Sequence, residues 1–267
     1  MNPISPQTGS PVVSVVLITY NRQALLRETV ESILNQTFSN FELIVVDNVS
    51  EDGTESYVKS LDDPRVRYIR HSNGGVIAIN RNAGISAARG EYIAFCDDDD
   101  LWLPGKLQRQ LEAMKERPDA GLCFTDGIAF KNDEVVVPSL ITGKKRLFLP
   151  TFYGLLLENY IPCCSVMARR AVFAKAGMMD ESPEINAVHD WEMWLRIAYG
   201  FPLIFVDEPL VKYRLHQNIT SSPSRTALHN ISVIRKVSHK LKLNLLPAWM
   251  SLGYQYLKYC WFVLNGR

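Results

Sequence analysis

The stretch "YIAFCDDDDLW" (residues 92–102) joins an apolar, β-prone run to four consecutive aspartates, Asp97 to Asp100, and then returns to apolar sequence. Two unit charges about 4 Å apart repel each other by roughly 4 kcal/mol at an effective dielectric constant near 20. Such a cluster beside buried sequence therefore requires protonation, access to water or a cation. The last option predicts a site for a positively charged ligand at the end of a strand.

Three other short β-rich runs precede this one and give the first hundred residues an alternating pattern. They are VVSVVLI (residues 12–18), FELIVV (41–46) and VRYI (66–69), and helical stretches separate them. Apolar runs without strict alternation suit strands that are covered on both faces. The order βαβαβαβ therefore predicts an α/β fold with a mainly parallel, Rossmann-like sheet, right-handed crossovers and flanking helices.

Polar residues stand directly after three of these strands: Thr19, Tyr20 and Asn21 after the first, Asp47 and Asn48 after the second, and the acidic quartet after the fourth. Ligands of such sheets bind beyond the carboxyl ends of the strands, so we expect these residues to share one edge. Asp97 and Asp99 flank a single residue, and this D-x-D spacing suits a shared Mg²⁺ or Mn²⁺ ion. The alternative is that the acids only cap the following turn and helix.

Composition and charge exclude several classes of protein. The 29 Lys and Arg side chains nearly balance the 28 Asp and Glu, and a net charge of +1 predicts no nucleic-acid partner. The five cysteines have neither metal-finger spacing nor the density of a disulfide scaffold, which predicts reduced thiols. The N-terminus lacks the pattern of a secretion signal, so we expect a cytoplasmic protein. The first strand is not followed by the glycine fingerprint of a dehydrogenase.

The chain divides into three parts in our interpretation: a flexible lead (residues 1–10), one large domain (11–220) and a helical extension (221–267). The extension contains the aromatic stretch LLPAWMSLGYQYLKYCWFVL (residues 245–264), in which Pro247, Gln255 and Lys258 argue against a membrane span. Two alternatives stay open for it. It either packs on the domain as a helix or lies on the inner face of a membrane as a peripheral anchor.

Four motifs in this order resemble those of family 2 glycosyltransferases with the GT-A fold, over about residues 11–220. They are VSVVLITYNR, ELIVVDNVSEDGT, NRNAGISAARGEYIAFCDDDDLWLPGKL and HDWEMWLRIA. The resemblance implies a metal-dependent, inverting enzyme of polysaccharide and cell-envelope biosynthesis. Residues 11–101 would bind a nucleotide-diphosphate sugar, and the resemblance to the family favours a UDP-linked one. Residues 102–220 would bind a glycan, a lipid-linked molecule or another hydroxyl acceptor.

The resemblance also assigns roles to residues. It implies nucleobase contacts for Thr19, Tyr20, Asn21 and Asp47, nucleotide contacts for Arg81, Asp97 and Asp98, metal ligation by Asp99 and Asp97, and a diphosphate or metal contact for His216. A shift of one residue would exchange the roles of Asp98, Asp99 and Asp100. Simpler interpretations stay open: Asp47 caps the next turn, Arg81 is an exposed helical arginine, and His216 is a surface residue.

Asp190, in HDWEMW, stands where the family has its catalytic base. The residues Trp191, Trp194, Leu195 and Ala198 have the spacing of a buried helical face, so Asp190 is expected at the start of a helix. The alternative for Asp190 is an N-cap that only accepts backbone hydrogen bonds. Glu192 and Arg196 are expected to pair on the solvated face of this helix.

Two competing functions follow from the same pattern. A catalytically inactive nucleotide-sugar binding protein would have the same cleft without transfer, and the presence of Asp97, Asp99 and Asp190 argues against it. A nucleotidyltransferase also combines an α/β sheet with metal-binding carboxylates. It is disfavoured because the N-terminal half lacks a glycine-rich, lysine-containing phosphate loop.

Overall fold

The computed structural model describes residues 9–142, 149–216, 223–243 and 245–265. The first eight residues of the expected flexible lead lie outside these ranges.

In the described part of the chain, nine strands form one sheet. They are β1 (Val13–Thr19), β2 (Phe41–Asp47), β3 (Val66–Arg70), β4 (Tyr92–Asp97), β5 (Leu101–Trp102), β6 (Leu122–Lys131), β7 (Glu134–Val137), β8 (Met167–Arg169) and β9 (Leu203–Arg214). The order is β3-β2-β1-β4-β8-β6-β9-β5, and β7 pairs with β6. Strands β1 to β4 are parallel, as predicted. Strand β8 runs antiparallel to β4 and β6, so the second half of the sheet is mixed.

Helices cover the sheet and form the C-terminal end. They are α1 (Gln23–Leu34), α2 (Thr54–Lys59), α3 (Ile77–Ala87), α4 (Lys106–Glu116), α5 (Phe152–Leu157), α6 (Val172–Ala176), α7 (His189–Gly200), α8 (Pro223–Lys240) and α9 (Leu245–Leu264). The predicted α/β class and the C-terminal helices are confirmed.

The core has two layers because successive residues of a strand point to opposite faces of the sheet. In β1, Val16 faces a layer that contains Trp191 and Trp194 of α7. Val15 and Leu17 face the other layer, which α1 and α4 complete. Both faces of the central strands are therefore buried. This explains their nearly continuous apolar sequence.

Helix α9 packs on the rest of the protein along one face. Ser251 Oγ donates to the carbonyl oxygen of Leu156 at 2.6 Å, and Gln255 Nε2 donates to that of Leu157 at 2.9 Å. Across the described residues, every helix is too short or too polar to cross a bilayer. These two hydrogen bonds show that α9 packs on the domain along this face, as the first alternative predicted.

Two helical glycines offer a matched test of the packing between α3 and the sheet. A Cβ at Gly84 would lie 2.4 Å from Cγ1 of Val16, which is buried in β1, whereas a Cβ at Gly253 of α9 would contact nothing within 4 Å. We expect Gly84→Ala to lower the free energy of unfolding by about 1–3 kcal/mol through overpacking. Gly253→Ala should raise it by up to about 1 kcal/mol through helix propensity. Urea unfolding measures both, and equal effects would contradict the close approach at Gly84.

Candidate active site

The predicted polar edge exists because three parallel strands end at the same level. The register pairs Thr19 of β1 with Asp47 of β2, and Ile18 of β1 with Asp97 of β4. A cavity of about 460 Å³ opens at this edge, and all four aspartates of the quartet line it. Thr19, Tyr20, Arg81 and His216 line it as well. Sequence positions far apart therefore meet where the strands end.

The four aspartates differ in burial and fall into a partly exposed pair and a buried pair. The side chains of Asp97 and Asp99 are 32% and 15% exposed. Asp98 and Asp100 are buried, at 5% and 2% exposure. The two carboxylates with D-x-D spacing are therefore the ones accessible from the cavity.

Asp98 connects the ends of β1 and β4. Its Oδ2 accepts hydrogen bonds from Thr19 Oγ1 at 2.8 Å and from the backbone N of Tyr20 at 3.3 Å, and its Oδ1 lies 3.2 Å from Arg22 Nη1. Burial and the neighbouring charge of Asp99 raise the pKa of Asp98 to about 6. These contacts hold the first loop against the acidic turn.

Asp100 holds the end of β9. Its Oδ1 accepts a hydrogen bond from the backbone N of Arg214 at 3.0 Å, and Arg214 Nε donates to the carbonyl oxygen of Asp99 at 2.9 Å. Burial raises the pKa of Asp100 well above its usual value, and the charges of Asp99 and Asp97 add to this effect. The anchored strand brings His216 to the site, where its Nε2 lies 2.8 Å from Asp99 Oδ2.

A second cavity, of about 550 Å³, adjoins the first. Ile77, Arg81, Asp97 and Tyr213 line both cavities and form their common wall. Asp190 and His189 line only the second. The site thus has two compartments that meet at Asp97 and Arg81.

Arg81 connects the two compartments through hydrogen bonds. Its Nη2 donates to Asp97 Oδ1 at 2.5 Å, and its Nη1 lies 2.5 Å from Nε2 of His189. Burial and the charge of Arg81 lower the pKa of His189 to about 3, so this ring is neutral. Its Nδ1 then donates to the carbonyl oxygen of Asn186 at 2.6 Å, and Nε2 accepts from Arg81. The alternative of an exposed arginine is wrong, because Arg81 is only 5% exposed.

Asp190 is the second residue of α7, which begins at His189. The N-cap position belongs to Val188, so the interpretation of Asp190 as an N-cap is wrong. Its carboxylate is half-buried at the second cavity and accepts a hydrogen bond from the backbone N of Trp191 at 2.7 Å. Burial raises the pKa of Asp190, and the charge of Arg81 opposes this effect. A partly desolvated carboxylate in a cleft has the character of a proton acceptor.

The sequence profile described as Glycosyl transferase family 2 matches residues 14–176. The chain belongs to this family. It is a glycosyltransferase, and its resemblance to the family is confirmed. The matched range contains β1 from its second residue, β2 to β4, the acidic quartet and the first part of the second compartment.

Relatives of this chain include proteins that are named as glycosyltransferases. The putative teichuronic acid biosynthesis glycosyltransferase TuaG of Bacillus subtilis is 33% identical over 217 residues, which cover 79% of this chain and 82% of TuaG. WfgD of Escherichia coli, named UDP-Glc:alpha-D-GlcNAc-diphosphoundecaprenol beta-1,3-glucosyltransferase, is 29% identical, with 79% and 80% covered.

Solved structures share the fold of this glycosyltransferase. TarS 1-349 of S. aureus in complex with UDP-GlcNAc has a TM-score of 0.71 at 18% identity, covering 94% of this chain and 73% of the other. The mannosyltransferase PcManGT of Pyrobaculum calidifontis, in complex with GDP-Man and Mn2+, has a TM-score of 0.64 at 18% identity, covering 99% and 79%. The predicted GT-A fold is confirmed.

Two residues predicted at the nucleobase lie outside the lining of the first cavity. In this glycosyltransferase Asp47 is fully buried, accepting hydrogen bonds from Ser50 Oγ and from Tyr68 Oη, each at 2.5 Å. Asn21 donates from its backbone N to Ser50 Oγ at 2.8 Å. The turn-capping alternative therefore accounts for the contacts of Asp47, and its neighbour Asn48 lines the cavity instead.

Sequence reasoning missed several residues that line the first cavity. They are Arg22, Asn73, Asn80, Tyr213 and Arg214, whereas Asn48 was expected at this edge. Arg22 ends the first family motif and follows three predicted contact residues, so its position in the chain was an available signal. Tyr213 lies within a long strand, outside the family motifs, so its position in the sequence does not mark it as a site residue. It reaches the site only because β9 pairs with β6 and β5.

The oxygen and nitrogen donors at Asp99 fit part of a divalent-cation site. Asp99 Oδ2 lies 2.8 Å from both His216 Nε2 and Arg22 Nη1, and Asp97 lines the same cavity. Among the described residues, no group of three or more His, Cys, Asp or Glu side chains stands ready to hold a metal ion. Arg22 is 42% exposed, so it can leave the carboxylate when a cation takes its place.

The expected pairing of Glu192 and Arg196 exists, but its predicted exposure is wrong. Glu192 is fully buried and Arg196 is 4% exposed, and both carboxylate oxygens accept hydrogen bonds from the guanidinium at 2.7 Å. Arg196 also donates to the carbonyl oxygens of Ala176 and Met178 at the end of α6. Because α6 and α8 pack on α7, the polar face of α7 is inside the protein. This ion pair fixes the helix that carries Asp190.

Removing one member of this buried pair leaves the other charge without compensation. We expect Glu192→Gln to lower the free energy of unfolding by about 3 kcal/mol or more. The double variant Glu192→Met/Arg196→Met should recover part of that loss, because it removes both charges. Glu55→Gln, at the exposed pair with Lys59, should leave the urea midpoint unchanged. A Glu192→Gln midpoint equal to that of the wild type would contradict the structural role of the pair.

Proposed function

We propose that this glycosyltransferase moves a sugar from a UDP-sugar in the first cavity to a hydroxyl group of an acceptor in the second, with inversion at the anomeric carbon. The observation that carries the proposal is the common wall. Asp97 faces both cavities, with Asp99 on the first side and Asp190 on the second. The acid–base group and the diphosphate-binding carboxylates therefore flank the point where donor and acceptor meet.

The donor assignment is supported by the solved structures with this fold, whose ligands include UDP-GlcNAc and GDP-Man. In this chain, Asp99 and His216, with Asp97 beside them, would hold Mg²⁺ or Mn²⁺. When bound, the ion neutralises charge on the departing diphosphate. Thr19 and Tyr20 line the same cavity and would contact the nucleotide, as the family resemblance implies.

Asp190 would act as the general base. Inverting transfer forms a bond from the acceptor oxygen to the anomeric carbon as the bond to the diphosphate breaks, and the acceptor proton passes to a carboxylate oxygen of Asp190. Burial raises the pKa of this carboxyl toward the working pH, which favours proton transfer, while Arg81 helps to keep it ionised. His189 is unsuited to this task because Arg81 already occupies its Nε2.

The acceptor would be a glycan precursor, lipid-linked or free, that is reached from the cytoplasm. Support comes from the relative WfgD, whose name specifies a diphosphoundecaprenol-linked acceptor, and from TuaG, named for teichuronic acid synthesis. The alternatives of an inactive binding protein and of a nucleotidyltransferase have no comparable support. A protein that only binds the donor would have no use for the half-buried carboxylate of Asp190 at the second cavity.

Asp99 should govern the metal dependence of nucleotide binding. We expect calorimetry to show UDP binding more tightly to the wild type in MnCl₂ than in EDTA. Asp99→Ala should abolish that difference, because it removes the carboxylate shared with His216. Asp119→Ala, at an exposed acid paired with Arg117, is the matched control and should behave as the wild type. Full metal dependence in Asp99→Ala would contradict the metal assignment.

Asp190 should affect transfer without affecting donor binding. With the UDP-sugar that gives the highest turnover in a panel, Asp190→Asn should lower kcat by about 10²–10⁴-fold, because the general base is lost. Its affinity for UDP should stay at the wild-type value. Glu181→Gln, which alters an exposed acid outside both cavities, should retain activity.

The pH profile gives a second test of the base. Asp190 acts when ionised and its pKa is raised, so wild-type activity should fall with decreasing pH, at a pH above the usual carboxyl value of about 4. Turnover in the wild type with an unchanged rate in Asp190→Asn would reject this base. No turnover in either protein with any donor would favour the binding-only alternative.

A further inference from the structure

The charge of the chain is distributed unevenly along its length. Residues 223–267, which contain α8 and α9, have seven Lys and Arg side chains and no Asp or Glu. The first 222 residues have 22 Lys and Arg against 28 Asp and Glu. The net charge of +1 therefore conceals an acidic catalytic part and a strongly basic C-terminal part.

Helix α9 has its polarity reversed relative to an ordinary surface helix. The face toward the protein includes the polar residues Ser251 and Gln255, which are fully buried and hydrogen-bonded to α5. The outward face is apolar. Its members recur at helical spacing and are between 62% and 85% exposed: Leu246, Trp249, Met250, Leu257 and Leu264. The hydrophobic surface of this helix thus lies outside the protein core.

We propose that the outward face of α9 docks on the surface of an anionic phospholipid bilayer. Its 20 residues give an apolar stripe about 30 Å long, which suits a helix lying flat in the interface. Trp249 is the kind of aromatic side chain enriched at the boundary between lipid and water. Two exposed basic residues flank this helix: Arg235 of α8 donates to Tyr256 Oη of α9, and Lys242 lies in the turn that precedes α9.

Charge favours an anionic bilayer over a second copy of the chain as the partner of the outward face of α9. Pairing two α9 faces would bring the exposed Arg235 and Lys242 of two chains closer together, and like charges repel. An anionic lipid surface attracts the same residues and buries the same apolar stripe. The observed combination of an apolar face and basic surroundings therefore matches lipid better than it matches self-association.

The face of α9 that packs on the domain lies next to a segment that lines the second cavity. Gln255 and Ser251 hold α9 against Leu156 and Leu157, and Lys258 Nζ lies 3.5 Å from Glu158 Oε1. The residues that follow directly, Asn159 to Ile161, line the second cavity. A bilayer on the outward face of α9 would therefore lie one helix diameter, roughly 10–12 Å, beyond the segment that lines this cavity, within reach of a lipid-linked acceptor bound there. This last step rests on the proposed function, whereas the docking itself does not.

Sedimentation with vesicles tests the docking on the full-length protein. We expect the wild type to bind vesicles of phosphatidylglycerol and phosphatidylcholine, and to bind pure phosphatidylcholine vesicles at least about tenfold more weakly. Trp249→Ser/Leu257→Ser should lower the partition coefficient on the anionic vesicles by about tenfold or more. The control Val135→Ser/Val136→Ser alters exposed apolar residues of β7, outside α9, and should bind as the wild type.

A second double variant tests how much the basic side chains contribute to vesicle binding. Arg235→Gln/Lys242→Gln should weaken binding to anionic vesicles and leave binding to phosphatidylcholine unchanged. All variants should retain UDP binding in MnCl₂, so loss of vesicle binding is distinguishable from failure of the donor site. Wild-type protein that stays in the supernatant with anionic vesicles would overturn the proposal. So would a wild-type dimer in sedimentation velocity that Trp249→Ser/Leu257→Ser converts to monomer without changing vesicle binding.

Discussion

Repulsion among four consecutive carboxylates is the constraint around which this site is organised. The protein relieves it by giving the aspartates different surroundings. Asp98 and Asp100 turn inward and bind the ends of β1 and β9, with raised pKa values that reflect their burial. Asp97 and Asp99 stay accessible and are compensated by Arg81 and Arg22. Two acids thus build the cleft, and the two others are left for a ligand.

The same arrangement links the two compartments of the site. Arg81 contacts Asp97 on one side and His189 at the start of α7 on the other, and the residue after His189 is Asp190. The buried pair of Glu192 and Arg196 holds α7 against the end of α6. The position of Asp190 therefore depends on a connected set of buried charges rather than on the local sequence alone.

Sequence reasoning predicted the polar edge because parallel strands that end together bring their next residues together, whatever lies between them in the chain. It failed where burial depends on elements distant in sequence. The charged face of α7 carries a surface pattern, yet α6 and α8 cover Glu192 completely. The contact of Asp47 with Ser50 agrees with the turn-capping alternative, but its hydrogen bond from Tyr68 of β3 had no signal in the sequence. The reversed polarity of α9 likewise becomes visible only when its packed face is known.

The central claim is that Asp97 and Asp99 remain accessible in order to hold a cation against the diphosphate of the donor. Anomalous diffraction at the manganese edge, from crystals grown with MnCl₂ and UDP, tests this most directly. The account predicts a manganese peak in contact with the Asp99 carboxylate and the His216 imidazole, beside bound UDP. Bound UDP with the manganese peak elsewhere, or with no peak at these side chains, would contradict it.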